Sequence, residues 1–210
     1  MTNIQYKKIE ESLTQIRLSS YCGESDEKTL QNYLYNIKLC RAFYPLLNFF
    51  EVALRNAIDK ALIEYNGNGD WFDTLPLDTK SMQKILDAKK KIKIQHHIIT
   101  HDRIVAELSL GFWTSFFSKA FAQFSYQSVI IKNSFPNCPR KLRTIKNLQP
   151  RLERFRILRN RISHCERISH FSDLQKLHAE LLETITWVEK EIANLAMQVD
   201  DVPQVLGVQK

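Results

Sequence analysis

LLNFFEVALRNAIDKALIEY, residues 46–65, sets Leu47, Phe50, Ala53 with Leu54, Ala57 with Ile58, and Ala61 with Leu62 at helical spacing. Alternating steps of three and four put these side chains on one stripe, the pattern of a helix that buries one face. The run stops at the clearest break in the chain, Asn66-Gly67-Asn68-Gly69-Asp70, where two glycines permit the left-handed conformation that ends helices. Upstream, Pro45 supplies no N–H donor and is expected to interrupt or restart the helix. Ser25-Asp26-Glu27 reads as a helix start, with Ser or Asp as N-cap and acids in the first turn. Leu30, Leu34 and Ile37 then lead on to Phe43.

The same periodicity extends in both directions. Ile9, Leu13 and Ile16 mark a short amphipathic helix over 4–18. Beyond a loop holding Trp71, Phe72 and Pro76, Asp78 or Thr79 can cap a helix through Met82, Ile85 and Leu86 into the lysine run 89–93. Another helix is expected from Asp102 through Val105, Leu108 and Phe112 to Phe116, and residues 120–139 read as aromatic and irregular. A basic segment follows, helical at least after Pro150, which kinks or restarts it. The last helix opens at Ser172 or Asp173 and carries Leu174, Leu177, Leu181 with Leu182, Ile185, Val188 and Ile192, a heptad-like stripe. Only 5 Gly and 6 Pro in 210 residues, and no strand ladder or repeat, disfavour a turn-rich β fold. The expectation is an all-α bundle, one domain over 1–198 with a flexible tail at 199–210.

Hydrophobic content of 44% and charged content of 25% exclude a wholly disordered or fibrous chain. Cys22, Cys40, Cys138 and Cys165 show neither CxxC pairing nor regular spacing, so reduced thiols are expected rather than a zinc ribbon or disulfide framework. The polar start MTNIQYKKIEESLTQ has no apolar h-region of a signal peptide, and the apolar stretch 104–124 is interrupted by Glu107 and Lys119. These features lead to the expectation of a soluble, cytoplasmic protein.

The formal charge of +7 is concentrated. Residues 140–167 hold ten Lys and Arg against Glu153 and Glu166, a net +8 that leaves −1 for the rest of the chain. A basic surface of this kind calls for an anionic partner. The segment also contains Arg159, Asn160 and His164. Arg offers a fixed fork of donors to phosphate oxygens, and His moves protons near neutral pH, so the set can transfer a phosphoryl group without a metal or cofactor. On a helix Asn160 and His164 share a face, as do Arg156 and Asn160, whereas Arg159 and His164 stand about 140° apart. Those two converge only if the helix ends or kinks near His164, or if a second protomer contributes.

Arg159 to His164 reads R-N-x-x-x-H and resembles the signature of the HEPN superfamily of helical ribonucleases. NFFEVALRNAI at 48–58 and ELSLGFW at 107–113 resemble blocks of its Abi-like (abortive-infection) family, a bacterial phage-defence group. The three blocks fall in the family's order across 48–164. The resemblance implies a helical fold and metal-independent RNA cleavage by 2′-OH attack. It implies a composite site where two protomers of a homodimer meet, in phage defence or a toxin-like system. Arg159 would bind the scissile phosphate, Asn160 would orient the His or the backbone, and His164 would be general acid or base. Cys165 after His164 departs from the His or other polar residue expected there. Arg151, Arg154, Arg156, Arg161 and Arg167 would form the approach path for RNA. An antitoxin or small RNA would be a further partner. The rival reading is a non-catalytic helical module that binds RNA or an antitoxin, its basic helix a solvated face and its His a C-terminal cap.

Other residues leave alternatives open. Glu51 and Arg55 are spaced for an intrahelical ion pair, but Glu51 can instead reach across the bundle to hold Arg159 or His164. His97 and His101 share a face and, with His96, raise a metal site, against which stands the lack of further ligands at suitable spacing. Lys89 to Lys93 can track phosphates or simply be solvated. Phe112, Trp113, Phe116, Phe117, Phe121 and Phe124 can stack on bases, form a dimer surface or fill the core. Cys165 beside His164 resembles a Cys/His nucleophile only superficially, since adjacent helical residues do not face each other.

Overall fold

Residues 3–207 are described by a computed structural model, and every regular element among them is helical. In chain order they are α1 (Asn3–Leu13), α2 (Gln15–Ser19), α3 (Asp26–Asn66), α4 (Trp71–Thr74), α5 (Thr79–Ile94), α6 (His101–Glu107), α7 (Leu110–Ser115), α8 (Tyr126–Ser134), α9 (Ile145–Ser163), α10 (Leu174–Val188), α11 (Lys190–Gln198) and α12 (Val202–Leu206). The expected all-α architecture is the one observed. No helix among the described residues is long and apolar enough to cross a membrane.

The 41-residue α3 is the axis on which α7 to α12 pack. Ser25 caps it by accepting from the Lys28 amide, and Asp26 and Glu27 sit at its positive end. Gly67, at φ 82°, closes it in the left-handed conformation while its amide donates to the Ile63 carbonyl. Pro45 does not end this helix. An interior proline costs about 3 kcal/mol. Its neighbours Phe43, Leu46, Leu47 and Phe50 are all buried, at about 1.5–3 kcal/mol each, so packing on both sides outweighs the lost bond. Pro150 likewise lies inside α9.

Three other expected boundaries move. The helix expected over 102–116 divides, because Leu108 and Ser109 are extended and α7 starts afresh, its Leu110 amide donating to Glu51 Oε1 across the bundle (3.1 Å). The stripe through Ile192 divides at Glu189, whose extended backbone (φ −155°, ψ 122°) separates α10 from α11. Thr14, at φ 68°, parts α1 from α2. The irregular 120–139 segment contains α8, braced by Gln127 Nε2 donating to the carbonyls of Phe116 and Ser118.

The tail from 199 carries a short helix, α12, over its described part. Asp200 accepts from the Val202 amide and pairs with buried His178, which seats Val202 at 0% exposure against the bundle. The aromatic alternatives also close. Phe112, Trp113, Phe116, Phe117 and Phe121 are fully buried and join Trp71, Phe72 and Tyr126 in the core, with Phe124 stacked on Tyr126. None of the five is free to meet a base.

Candidate active site around Arg159 and Glu51

Helix α9 is amphipathic, with Leu148, Leu152, Phe155 and Leu158 turned into the core and Phe155 edge-on to Phe50 of α3 at 5.2 Å. That packing sets Arg159 on the flank facing α3. Its Nε donates to Glu51 Oε2 (2.9 Å) and its Nη2 to Glu51 Oε1 (3.3 Å). Glu51 thus serves two elements, since Oε1 also receives the Leu110 amide at the start of α7. Of the two readings of Glu51, the cross-bundle one describes its contacts. Arg55 makes no ion pair with it and donates instead to Asn56 Oδ1.

The fork of Arg159 is only half used. With Nε and one side of Nη2 turned to the carboxylate, both Nη1 hydrogens and one on Nη2 keep their donor capacity. The pair borders a cleft of about 170 Å³ lined by Tyr44, Leu47, Asn48, Glu51, Arg159, Ile162 and Ser163. The side chains of Arg159 and Glu51 are 33% and 18% exposed, so the guanidinium is both oriented and reachable.

Helix α9 ends at Ser163, with His164 as its C-cap. The Glu166 amide donates to the Arg161 carbonyl (2.7 Å) and the Cys165 amide to the Ile162 carbonyl (3.0 Å), the paired bonds of a Schellman terminus. Cys165 fills the left-handed position at φ 56°. His164 is therefore the last residue before the turn and is exposed, but its amide keeps the helical bond to the Asn160 carbonyl and its side chain is not among those lining the Arg159 cleft, so one protomer does not bring the two together. The Asn160 carbonyl accepts from the His164 amide (2.9 Å), while the Asn160 side chain has no partner among the described residues.

The turn is held from behind by a residue that the sequence reading passed over. Asn36 of α3 is 1% exposed, accepts from the Ile168 (2.7 Å) and Ser169 (3.1 Å) amides, and donates to the Glu166 carbonyl (3.5 Å) and Tyr21 Oη (3.2 Å). Arg17 donates to the Cys165 carbonyl and Arg167 to the Ser20 carbonyl, fastening the N-terminal helices to the same turn. A signal was present, an Asn in register with Thr29, Leu39 and Phe43 on the buried side of α3.

The five arginines expected along the RNA path all have partners inside the molecule. Arg151 pairs with Glu183 (2.6 Å) and lies over the Trp187 ring (4.3 Å to its centroid). Arg154 bridges Glu180 and Asp173, Arg156 pairs with Glu153, and Arg161 pairs with Glu166. Hydrogen bonding to Arg156 holds the Glu153 carboxyl below the usual range and raises the guanidinium correspondingly. Arg167 donates to Ser169 Oγ and sits by the Tyr21 ring. Acids from α9, from α10 and from the turn between them meet four of the five guanidiniums, and Arg167 is held by Ser169, the Ser20 carbonyl and the Tyr21 ring. Arg140, Lys141 and Lys146 are the exposed cations of the segment with no partner among the described residues.

The chain matches no known protein family, no curated protein and no solved structure.

The histidine cluster divides. His101 faces Asp59 through Nε2 (2.9 Å) and the Gly69 carbonyl through Nδ1 (3.0 Å), tying the Gly-rich turn to α3, while His96 and His97 are exposed. Trp71 Nε1 donates to the same Asp59. No group of three or more His, Cys, Asp or Glu among the described residues is placed to hold a metal ion. In the lysine run, Lys89 pairs with Asp73 and Lys91 with Glu107.

Proposed function

We propose that the chain is a metal-independent endoribonuclease of the HEPN type, of the Abi-like group, acting as a cytoplasmic homodimer in phage defence or a toxin-like system. The observation that carries the reading is Arg159, oriented by Glu51 with half its fork open, beside a helix terminus that ends on an exposed His164. A phosphate oxygen would be bound by the open edge of Arg159. His164 would take the proton of the 2′-OH, or give one to the departing 5′-oxygen, with a second protomer supplying the complementary step. The 2′-oxygen bonds to phosphorus as the P–O5′ bond breaks, leaving a 2′,3′-cyclic phosphate and a 5′-hydroxyl. Asn160, whose carbonyl anchors the His164 amide, would orient the histidine.

The test is incubation of purified protein with RNA in EDTA, with His164→Ala and Arg159→Ala alongside. Wild type should release cyclic-phosphate ends, and His164→Ala should be slower by about 10²–10⁴-fold. Equal cleavage by wild type and His164→Ala, or none from either, sinks the assignment. The exposed trio Arg140, Lys141 and Lys146 favours a second reading, RNA binding without cleavage. Its mark would be binding that falls with salt at a log–log slope of about −0.7 per phosphate contacted, with no product formed.

A further inference from the structure

On the face of α3 turned away from Glu51 lies an open groove of about 760 Å³. That volume is in the range of small-molecule sites, which are mostly apolar with a few fixed polar groups. The break at Glu189 opens it, since Val188 and Ile192 stand on either side of that residue and form one wall. Phe49, Val52, Ala53 and Ala57 of α3 form the floor, all partly exposed.

Charge in the groove is graded from end to end. Lys60 and Glu64 lie at one end of the α3 floor, and Glu64 accepts from Asn133 Nδ2 (3.0 Å), which brings neighbouring Lys132 to that end. Arg143 joins them because its Nη1 donates to the carbonyls of Lys132 (3.1 Å) and Phe135 (3.4 Å). Val52 is eight residues from Lys60, about 12 Å along the helix, and the floor around it carries no charge. The two lining acids accept only neutral donors, Glu64 from Asn133 and Glu189 from the Glu191 amide, so three cations face two carboxylates and the lining is net positive by one. The three cations have no carboxylate partner among the described residues, in contrast to Arg151, Arg154, Arg156, Arg159 and Arg161. Arg143 is a cation fixed by backbone carbonyls, with Nε and Nη2 uncommitted.

We infer that this groove binds a small, freely diffusing amphipathic anion, its carboxylate, phosphate or sulfonate head at Lys60, Lys132 and Arg143 and its apolar body along Val52, Ala53 and Ala57. The site is separate from the Arg159 cleft and does not depend on the activity proposed there. Dodecanoate, titrated calorimetrically as monomer into the purified chain, should bind saturably at one site per chain. Lys60→Glu with Lys132→Glu, both at exposed positions, should weaken binding by at least about tenfold. Ala57→Trp, which fills the floor, should abolish it, and thermal unfolding would verify that each variant is folded. Dodecyltrimethylammonium, with the same chain and a cationic head, should not bind. Non-saturable uptake, equal binding of the two head groups, or dodecanoate binding unchanged in the lysine variant would overturn the inference. So would binding confined to phosphatidylglycerol vesicles or to an acidic amphipathic peptide, which would give the groove to a membrane or a protein partner.

Discussion

Cys165 occupies the left-handed C′ position of α9, where glycine is the residue that fits without penalty. For other L-residues this conformation costs about 1–2 kcal/mol, part of which glycine returns through its greater freedom in the unfolded chain. Cys165→Gly should therefore raise stability by about 0.5–1 kcal/mol, and Cys165→Val, β-branched and worse in this region, should lower it. Urea unfolding of the two variants checks the order; a glycine variant no more stable than the valine one would show that the turn does not hold this residue left-handed. The same strain speaks to chemistry. The Cys165 carbonyl is tied to Arg17 and its side chain projects from the turn after His164, so Cys165→Ala should leave any RNA cleavage intact. None of this was legible in the sequence. A cysteine is no helix terminator by its own preference, and the bonds from Arg17 and Asn36 that hold the turn come from more than a hundred residues away.

At the scale of elements, the union of α3 and α9 fixes the candidate site, and each contributes a residue the other needs. Arg159 of α9 is oriented by Glu51 of α3, and the turn ending α9 is bonded by Asn36 of α3. Asn36→Leu keeps a comparable volume but leaves the Ile168 and Ser169 amides without their acceptor. Each unsatisfied buried group costs about 1–3 kcal/mol. In native-state hydrogen exchange those two amides should lose protection well before the interior of α9 does, and unchanged protection at both would remove Asn36 from its role. Much at this scale was readable beforehand. The stripe from Leu47 to Leu62 and that from Leu174 to Val188 show directly as buried faces, because neighbours along one helix determine them. Pro45 and the 102–116 span misled for the opposite reason. What carries the chain through Pro45 is burial of Phe43 and Phe50 against other helices, and what starts α7 is a carboxylate from α3.

For the molecule as a whole, the +8 count over 140–167 overstates the basic surface, because Glu51, Asp173, Glu180 and Glu183 fold onto it from outside the segment. Two of the segment's guanidiniums, Arg161 at the end of α9 and Arg167 in the turn that follows, make themselves felt on His170. Partial desolvation of this exposed ring first, then the charges of Arg161 and Arg167, hold the imidazole below its ordinary value of about 6.5. A depressed histidine binds fewer protons folded than unfolded, so stability rises with pH through the interval between the two values. The contribution is complete above about 6.5 and turns against the fold as the medium becomes more acid. Urea unfolding at half-unit steps from pH 5 to 8 should show that rise, and His170→Gln, which cannot titrate, should flatten it. His101 and His178 are shared by both proteins, so the difference between the two curves isolates His170. If the curves stay parallel throughout, neither desolvation nor the two arginines depress this imidazole.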